Sequence, residues 1–285
     1  MALFGKIERP VRTQQFWTPL WGQLLAIPEA TPLLALLVIG WAFGFPMLVC
    51  VLIVLVVAAF VVRLALLSMA SRQLGRGAYQ QADRWASAAL RLNPWSADTL
   101  RLRAEGFALR GDDAAAEPLL RRAVTLAPHQ PVVQATLAAT LMAQGQFAEA
   151  HTLIEQQEGD VTSPSVVQQM AWYTLHIEQR PGAARALIEG VQPTLLAASL
   201  AGSLLVTRAE AEIAMGEHLV AQQTLHAIVQ RLRDCPRPQQ AELHYHLGRL
   251  FGDVGGDAHI HYRASVALDP QGRYAHAAWR GAVEQ

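Results

Sequence analysis

The chain has 285 residues and a formal net charge of zero, because 23 acidic residues balance 23 basic ones. That balance argues against a nucleic-acid partner, since domains that bind nucleic acid usually carry a strong excess of basic residues. Hydrophobic residues make up 52% of the chain, and no residue between Ala30 and Val62 is charged. The composition therefore predicts a membrane-inserted segment followed by an ordinary soluble helical region.

Residues 1–29 precede the apolar tract and are predicted to form an interfacial segment. Trp17 and Trp21 lie there among phenylalanine and leucine side chains that recur at helical spacing. Tryptophan favours the headgroup level of a bilayer, so both rings would anchor the segment at the membrane surface. A loop that packs its tryptophans against the protein is the alternative.

The apolar tract is longer than one perpendicular membrane span needs. As a single helix, its 33 residues would extend about 50 Å, whereas the hydrocarbon layer of a bilayer is about 30 Å thick. Gly44-Phe45-Pro46 interrupts the tract near its middle, and proline disfavours helical geometry at the residue before it. We therefore predict a transmembrane helical hairpin over residues 30–70, with limbs near 31–44 and 46–70.

Trp41 and Pro46 belong to this predicted membrane anchor. The first limb is short for a complete crossing, so a re-entrant pair and a single kinked span are alternatives. Basic residues flank the tract on both sides, and for a hairpin the positive-inside rule places both ends in the cytoplasm. We therefore expect a multi-pass protein of the inner (cytoplasmic) membrane whose following domain faces the cytoplasm. For a single span the orientation stays undetermined, because the two flanks are similarly basic.

Beyond Arg63, small residues and turn residues recur every 34 residues. The recurring sets are Gly77 with Gly111 and Gly145, Ala82 with Ala116 and Ala150, Ala89 with Ala123, and Pro94 with Pro128. A period of this length with a turn glycine and a closing proline is typical of stacked helical hairpins. No single hairpin of this kind can bury its apolar face alone, so stability must come from stacking.

These residues resemble the tetratricopeptide repeat, in which small side chains let two helices cross closely and glycine turns the chain between them. The resemblance implies an all-α fold, with the transmembrane helical hairpin followed by a right-handed α-solenoid of about six helical hairpins over residues 63–270. Residues 271–285 would form a C-terminal capping helix. The fourth unit departs from the pattern, because Arg180-Pro181-Gly182 stands at its turn.

The second limb of the membrane hairpin is predicted to continue into the first repeat as one helix. No glycine or proline lies between Pro46 and Gly75. A flexible linker would need a Gly/Ser-rich segment, which this stretch lacks.

The resemblance also implies where a partner protein would bind, because the first helix of each hairpin lines the concave side. The groove candidates are Asp98, Arg101 and Glu105 in the second unit, Met142 in the third, and Gln169, Tyr173 and His176 in the fourth. Some family members grip a C-terminal carboxylate with Lys and Asn at such places, and this chain has neither there. The small apolar residues beside Met142 and Tyr173 suit an apolar or helical partner segment. The same residues could instead serve only to pack the solenoid.

Charge is uneven along the repeats. No Lys or Arg occurs from Ala123 to Gln179, while several acidic residues do. Such a stretch could steer a basic partner, and a solvated face with chance clustering is the alternative.

No catalytic sequence motif is present, so the chain is interpreted as a non-enzymatic scaffold or assembly factor that recruits another protein to the inner membrane, without cofactor or metal. One alternative is an integral structural subunit of a membrane complex. The other is a metal-dependent enzyme, because His244 and His246 precede His259 and His261 on the next predicted helix.

Overall fold

The structure is a computed structural model that describes residues 46–155, 164–191 and 196–283, with single positions between 35 and 44. This described part contains thirteen α-helices, one short 3-10 helix and no β-strand. The all-α prediction is therefore confirmed for it. The chain divides into two compact units, Met1–Val62 and Arg63–Gln285.

Helix α1 runs from Pro46 to Gly75 without a break. The predicted interruption of the apolar tract is confirmed at this point, because Gly44 has a left-handed φ of 67° and Pro46 is the first helical residue. Proline is well placed there, since the N–H that it lacks would have no intrahelical acceptor. The predicted interfacial segment with Trp17 and Trp21 lies outside the described residues. So does Trp41, together with most of the limb near 31–44.

The first unit exposes a row of large apolar side chains on α1. Val51, Val54, Leu55 and Val61 are all more than half exposed. Cys50–Gly75 is long and apolar enough to cross a membrane, and it is the one such helix in the described part of the chain.

The second unit is a solenoid of paired helices. The pairs are the end of α1 with α2 (Tyr79–Leu92), α3 (Ala97–Leu109) with α4 (Asp113–Leu126), α5 (Pro131–Ala143) with α6 (Phe147–Glu155), α7 (Pro164–His176) with α8 (Pro181–Glu189), α9 (Ala198–Ala214) with α10 (His218–Arg231), and α11 (Arg237–Asp253) with α12 (Ala258–Leu268). Helix α13 (Ala275–Val283) packs against α12.

The helix crossings in this unit are made by the alanines that recur in the sequence. Ala104, Ala116, Ala138 and Ala150 have no exposed surface and belong to one apolar cluster. A methyl group at these places lets two helix backbones approach closely, and the larger neighbouring leucines fill the remaining space. The 34-residue pattern is thus a pattern of close helix contacts.

Glycine forms the turn inside the first three pairs. Gly77, Gly111 and Gly145 have φ angles of 77°, 82° and 79°, a left-handed region that is strained for residues with a Cβ atom. In the fourth pair the same register falls on Gln179, whose φ is 57°. Its side-chain amide donates a hydrogen bond to the carbonyl of His176 at 2.8 Å, which supports the unusual conformation.

Arg63 attaches the end of α1 to the next pair of helices. Its side chain is buried and donates to the Ser96 hydroxyl at 2.7 Å. Ser96 also caps α3 by accepting a hydrogen bond from the backbone N–H of Thr99. One buried hydroxyl therefore orders both the start of α3 and the end of α1, which belongs to the first pair.

The last repeat returns to the first repeats of the solenoid. The backbone N–H of Arg273, between α12 and α13, donates to the carbonyl of Leu109 at 2.8 Å. The hydroxyl of Tyr79 donates to the carboxylate of Asp269, a partner 190 positions away in sequence. The second unit is therefore closed, with its C-terminal end packed on α1 to α3.

Candidate functional site

Closure encloses a cavity of about 200 Å³ on the concave side of the second unit. Its walls come from the first helices of the second and third pairs on one side, and from α11 and the α12–α13 connection on the other. The residues that line this cavity include Glu105, Ala139, Glu242, Ser265, Arg273 and Tyr274.

Arg273 joins the two sides of this cavity. Its guanidinium donates two hydrogen bonds to the carbonyl of Ala108, at 3.0 and 2.9 Å, and a third to the carboxylate of Asp113. Ala108 lies in the last turn of α3, where backbone carbonyls have no donor within the helix, and its carbonyl also accepts from the backbone N–H of Gly111 at 2.9 Å. The Arg273 side chain therefore caps α3 and pairs with the start of α4 at once.

The predicted groove residues of the second pair lie at or beside the cavity. Glu105 lines it, and Arg101 lines a neighbouring cavity of about 270 Å³ that Glu105 also reaches. Arg101 and Glu105 are half-buried and form an ion pair at 3.1 Å. Asp98, one turn earlier on α3, is exposed.

Two further groove candidates lie inside the packed repeats. Met142 is buried in the apolar cluster of the second to fourth pairs. Gln169 is buried as well, and its amide donates to the carbonyl of Ala135 at 2.6 Å. Both side chains hold α5 and α7 in register.

The remaining two candidates, Tyr173 and His176, extend the concave surface along α7. The ring of Tyr173 lies 4.6 Å from that of His151. His176 contacts the carboxylate of Glu210 at 3.1 Å, and Arg249 donates to the same carboxylate. Burial lowers the pKa of His176, and the charge of Arg249 lowers it further. His176 therefore meets Glu210 as a neutral ring, and the cluster joins α7, α9 and α11.

The C-terminal histidines form a pair and not a metal cluster in the described part of the chain. The Nδ1 atoms of His244 and His261 lie 3.0 Å apart, and the His261 ring stacks on Phe251 at 5.1 Å. Burial, followed by the charge of His261, lowers the pKa of His244 to about 4. No group of three or more His, Cys, Asp or Glu side chains suited to a metal occurs among the residues that the structure describes.

Sequence reasoning missed the C-terminal half of the cavity. Arg273 contacts Ala108 and Asp113, which lie more than 100 positions earlier in the sequence, and no local spacing reports such a contact. The signal available in the sequence was that Arg273 and Tyr274 stand side by side within the predicted capping segment 271–285.

The sequence model of the tetratricopeptide repeat matches residues 107–167. Among solved structures, a tetratricopeptide repeat protein from Parabacteroides merdae has a TM-score of 0.57 at 12% identity, covering 93% of this chain and 97% of that one. A chain in the structure of the APC/C hetero-tetramer Cut9–Hcn1 has a TM-score of 0.53 at 12% identity, covering 90% of this chain and 52% of that one. This chain therefore spans about half the length of that matched chain. PilF of Pseudomonas aeruginosa has a TM-score of 0.48 at 19% identity, covering 80% of this chain and 100% of that one. No curated protein matches this chain by sequence. At these identities the two superpositions with TM-scores above 0.5 show a shared fold alone.

Proposed function

We propose, from the premise that these repeats are tetratricopeptide repeats, that the chain is a membrane-anchored scaffold that holds another protein at the cytoplasmic face of the inner membrane. The fold itself is that of protein–protein interaction scaffolds. One observation carries the finer proposal: a single helix, α1, contains both the exposed apolar segment and the first helix of the repeats. Anchoring of this kind confines a partner near the bilayer and raises its effective concentration for a second, membrane-bound component.

The apolar half of α1 supports insertion into lipid. Its 17 residues from Pro46 to Val62 are uncharged and correspond to about 25 Å of helix, close to the thickness of the hydrocarbon layer. Large exposed apolar surfaces are rare on soluble monomers, so these side chains need lipid or another protein. We propose lipid, with the remaining apolar residues before Gly44 forming the other limb of a hairpin.

Cysteine accessibility in spheroplasts tests the topology. Native Cys235 is buried, so it is unsuited to labelling, and Cys50 lies within the apolar segment. In a variant without these two cysteines, Lys6→Cys and Asp98→Cys provide one site before the tract and one exposed site in the repeats. The hairpin predicts that an impermeant maleimide labels neither site until the membrane is opened. Labelling of only one site in intact spheroplasts would establish a single span.

The closed cavity limits how a partner can bind. An α-helix with its side chains is about 10–12 Å across, which is too wide for a space of about 200 Å³. We therefore propose that a partner contacts the rim of the concave side and inserts single side chains, in place of a whole helical segment.

Crosslinking in intact membranes, followed by mass spectrometry, tests the scaffold function. A photo-reactive residue at Asp98 should give one abundant adduct with another protein, and the same residue at Arg263, which is exposed on α12, should give little of it. Adducts with lipid or with a second copy alone would contradict the proposal.

An integral structural subunit remains the second candidate, because the exposed apolar residues of α1 would suit neighbouring membrane helices equally well. Extraction in mild detergent separates the two functions. A stoichiometric membrane complex would support the subunit, and a chain that is extracted alone would support the scaffold.

A further inference from the structure

We propose that the cavity behind Arg273 binds the cationic head group of an arginine or lysine side chain, with the Glu242 carboxylate as its counter-ion. This inference rests on the proposed scaffold function, because it names the chemistry of the partner segment that the solenoid holds.

The strongest donors on the wall are already used inside the protein. Arg273 donates to Ala108 and Asp113, and the Ser265 hydroxyl donates to the carbonyl of Ala241 at 2.7 Å. The hydroxyls of Thr136 and Thr140 donate to carbonyls of their own helix. These bonds use Nε and Nη2 of Arg273 and the three hydroxyl protons, so the hydroxyls have little capacity left for an anionic ligand.

Acceptors are in excess on the same wall. Glu242 lines the cavity, is half-buried, and makes no hydrogen bond or ion pair with any residue that the structure describes. Burial is the main cause of the raised pKa of Tyr274, and the charge of Glu242 raises it further, so that charge acts on the cavity wall. A carboxylate that is partly removed from water without a cationic partner is costly, and a bound cation removes that cost.

Two further acceptors lie close by. Glu105 has Arg101 as its ion-pair partner but also faces the cavity. The side-chain carbonyl oxygen of Gln239 is buried without a hydrogen-bond donor among the described residues, and Gln239 lines the neighbouring cavity that Glu105 also lines. Buried acceptors normally have donors, so this oxygen can accept a further hydrogen bond. A guanidinium has five donors, enough to bond several such acceptors.

The shape of the cavity suits one side chain. Drug-sized ligands occupy pockets of about 300–1,000 Å³, whereas this cavity has about 200 Å³. Ala139 lines it and is exposed, so the cavity opens to solvent at that point. Tyr274 also lines the cavity, and an aromatic ring attracts a cation that is held against its face.

The size and the charge together favour a segment of a partner protein. The cavity accepts only a head group and its stem, so the rest of the ligand must lie outside.

Titration of the full chain in detergent tests the site directly. The probe is N-acetyl-arginine amide, with N-acetyl-citrulline amide as its uncharged isostere, and binding is followed by NMR shifts of Gly272 and Thr136. We expect saturable binding of the arginine compound. The citrulline compound should bind at least about tenfold more weakly, since a charge-assisted hydrogen bond is lost. Glu242→Gln should weaken arginine binding by a similar factor, while Glu189→Gln, at an exposed site on α8, should leave it unchanged. The thermal midpoint of each variant shows whether it is folded.

Absence of saturable binding, equal binding of citrulline, or an unaltered affinity in folded Glu242→Gln would overturn the inference.

A photo-reactive residue at Ala139 in intact membranes then separates the sources of the cation. Adducts that contain an Arg or Lys next to the crosslinked position support a partner segment. If the arginine probe binds but Ala139 and Asp98 never crosslink a protein, the scaffold function fails and a free amine is the ligand. If a partner crosslinks through a segment without basic residues, the scaffold stands and the cation site fails.

Discussion

The alanine contacts of the first three repeats and the Glu212 contact of the fifth repeat hold buried helices together in different ways. Ala104 and Ala116 belong to one apolar cluster and have no exposed surface, whereas Glu212 on α9 is fully buried and accepts hydrogen bonds from Arg208 and Thr224, each at 2.7 Å. The alanine contacts depend on shape and recur with the 34-residue period. The polar contacts depend on particular partners. The comparison indicates that the period gives stacking, while polar contacts outside it, such as that of Arg273 with Asp113, close the solenoid.

The largest expected effect concerns the closure itself. Arg273→Met keeps the length of the side chain but removes its bonds to Ala108 and Asp113. Because the guanidinium is about one-quarter exposed, we expect a loss of about 2–3 kcal/mol in the free energy of unfolding, below the full cost of breaking a buried pair. Urea unfolding of the full chain in detergent measures it. Arg263→Met, at an exposed position of α12, is the matched control and should change stability by less than about 0.5 kcal/mol.

The next effect tests whether the first repeats depend on close helix contacts. Ala116→Leu adds three carbon atoms where no space is left, so we expect a destabilisation of about 1–3 kcal/mol. Ala114, two positions earlier on α4, is exposed, and Ala114→Leu should be nearly neutral. Equal thermal midpoints for the two variants would show that the buried alanine is not at a tight contact.

The turns provide a comparison at one repeat register. Gly111→Ala forces a side chain into a left-handed conformation and should cost about 1–2 kcal/mol. Gln179→Gly relieves the same kind of strain but loses the hydrogen bond to His176 and makes the unfolded chain more flexible. We expect its net effect to be below about 1 kcal/mol in either direction. Measured unfolding free energies that reverse this order would contradict the assignment of the turns.

The smallest effect is the contribution of His244, in the last repeat, to the pH dependence of stability. The pKa of His244 falls from its usual 6.5 to about 4 on folding, mainly because of burial. The unfolded chain therefore binds a proton that the folded chain does not, and stability falls as the pH drops from about 6.5 towards 4. Since the ring is partly exposed, solvent screening should limit the effect to less than about 1 kcal/mol.

Unfolding midpoints at about pH 7.5 and about pH 5 measure this loss. His244→Gln should reduce the difference between the two midpoints, whereas His218→Gln, at an exposed position of α10, should not. A wild-type midpoint that rises on acidification would contradict the sign.

The sequence was informative where local geometry follows from residue type. Gly77, Gly111 and Gly145 occupy the left-handed turns, and Pro46 begins the long helix, because each residue type favours that conformation in any context. The repeat register placed Glu105 among the groove candidates of α3, and Glu105 lines the cavity, while partner binding at these positions stays a prediction. The partners of Arg273 and Tyr79 could not be assigned from the sequence, since contacts between the two ends of a solenoid depend on small rotations summed over every repeat. Met142 and Gln169 show the same limit, because the register alone does not distinguish a groove position from one that the next helix covers.

Closure of the second unit is the claim on which the candidate site depends, and a disulfide tests it most directly. A Cβ atom on Gly75 would lie 3.7 Å from the Cβ of Pro236, which is within the range of about 3.5–4.5 Å found in disulfides. With both native cysteines replaced by serine, Gly75→Cys combined with Pro236→Cys should form an intramolecular disulfide in most molecules under mild oxidation. The linked peptides would be identified by mass spectrometry, and Gly75→Cys alone serves as the control. Reduced cysteines in the double variant, or links only between different molecules, would contradict a closed solenoid.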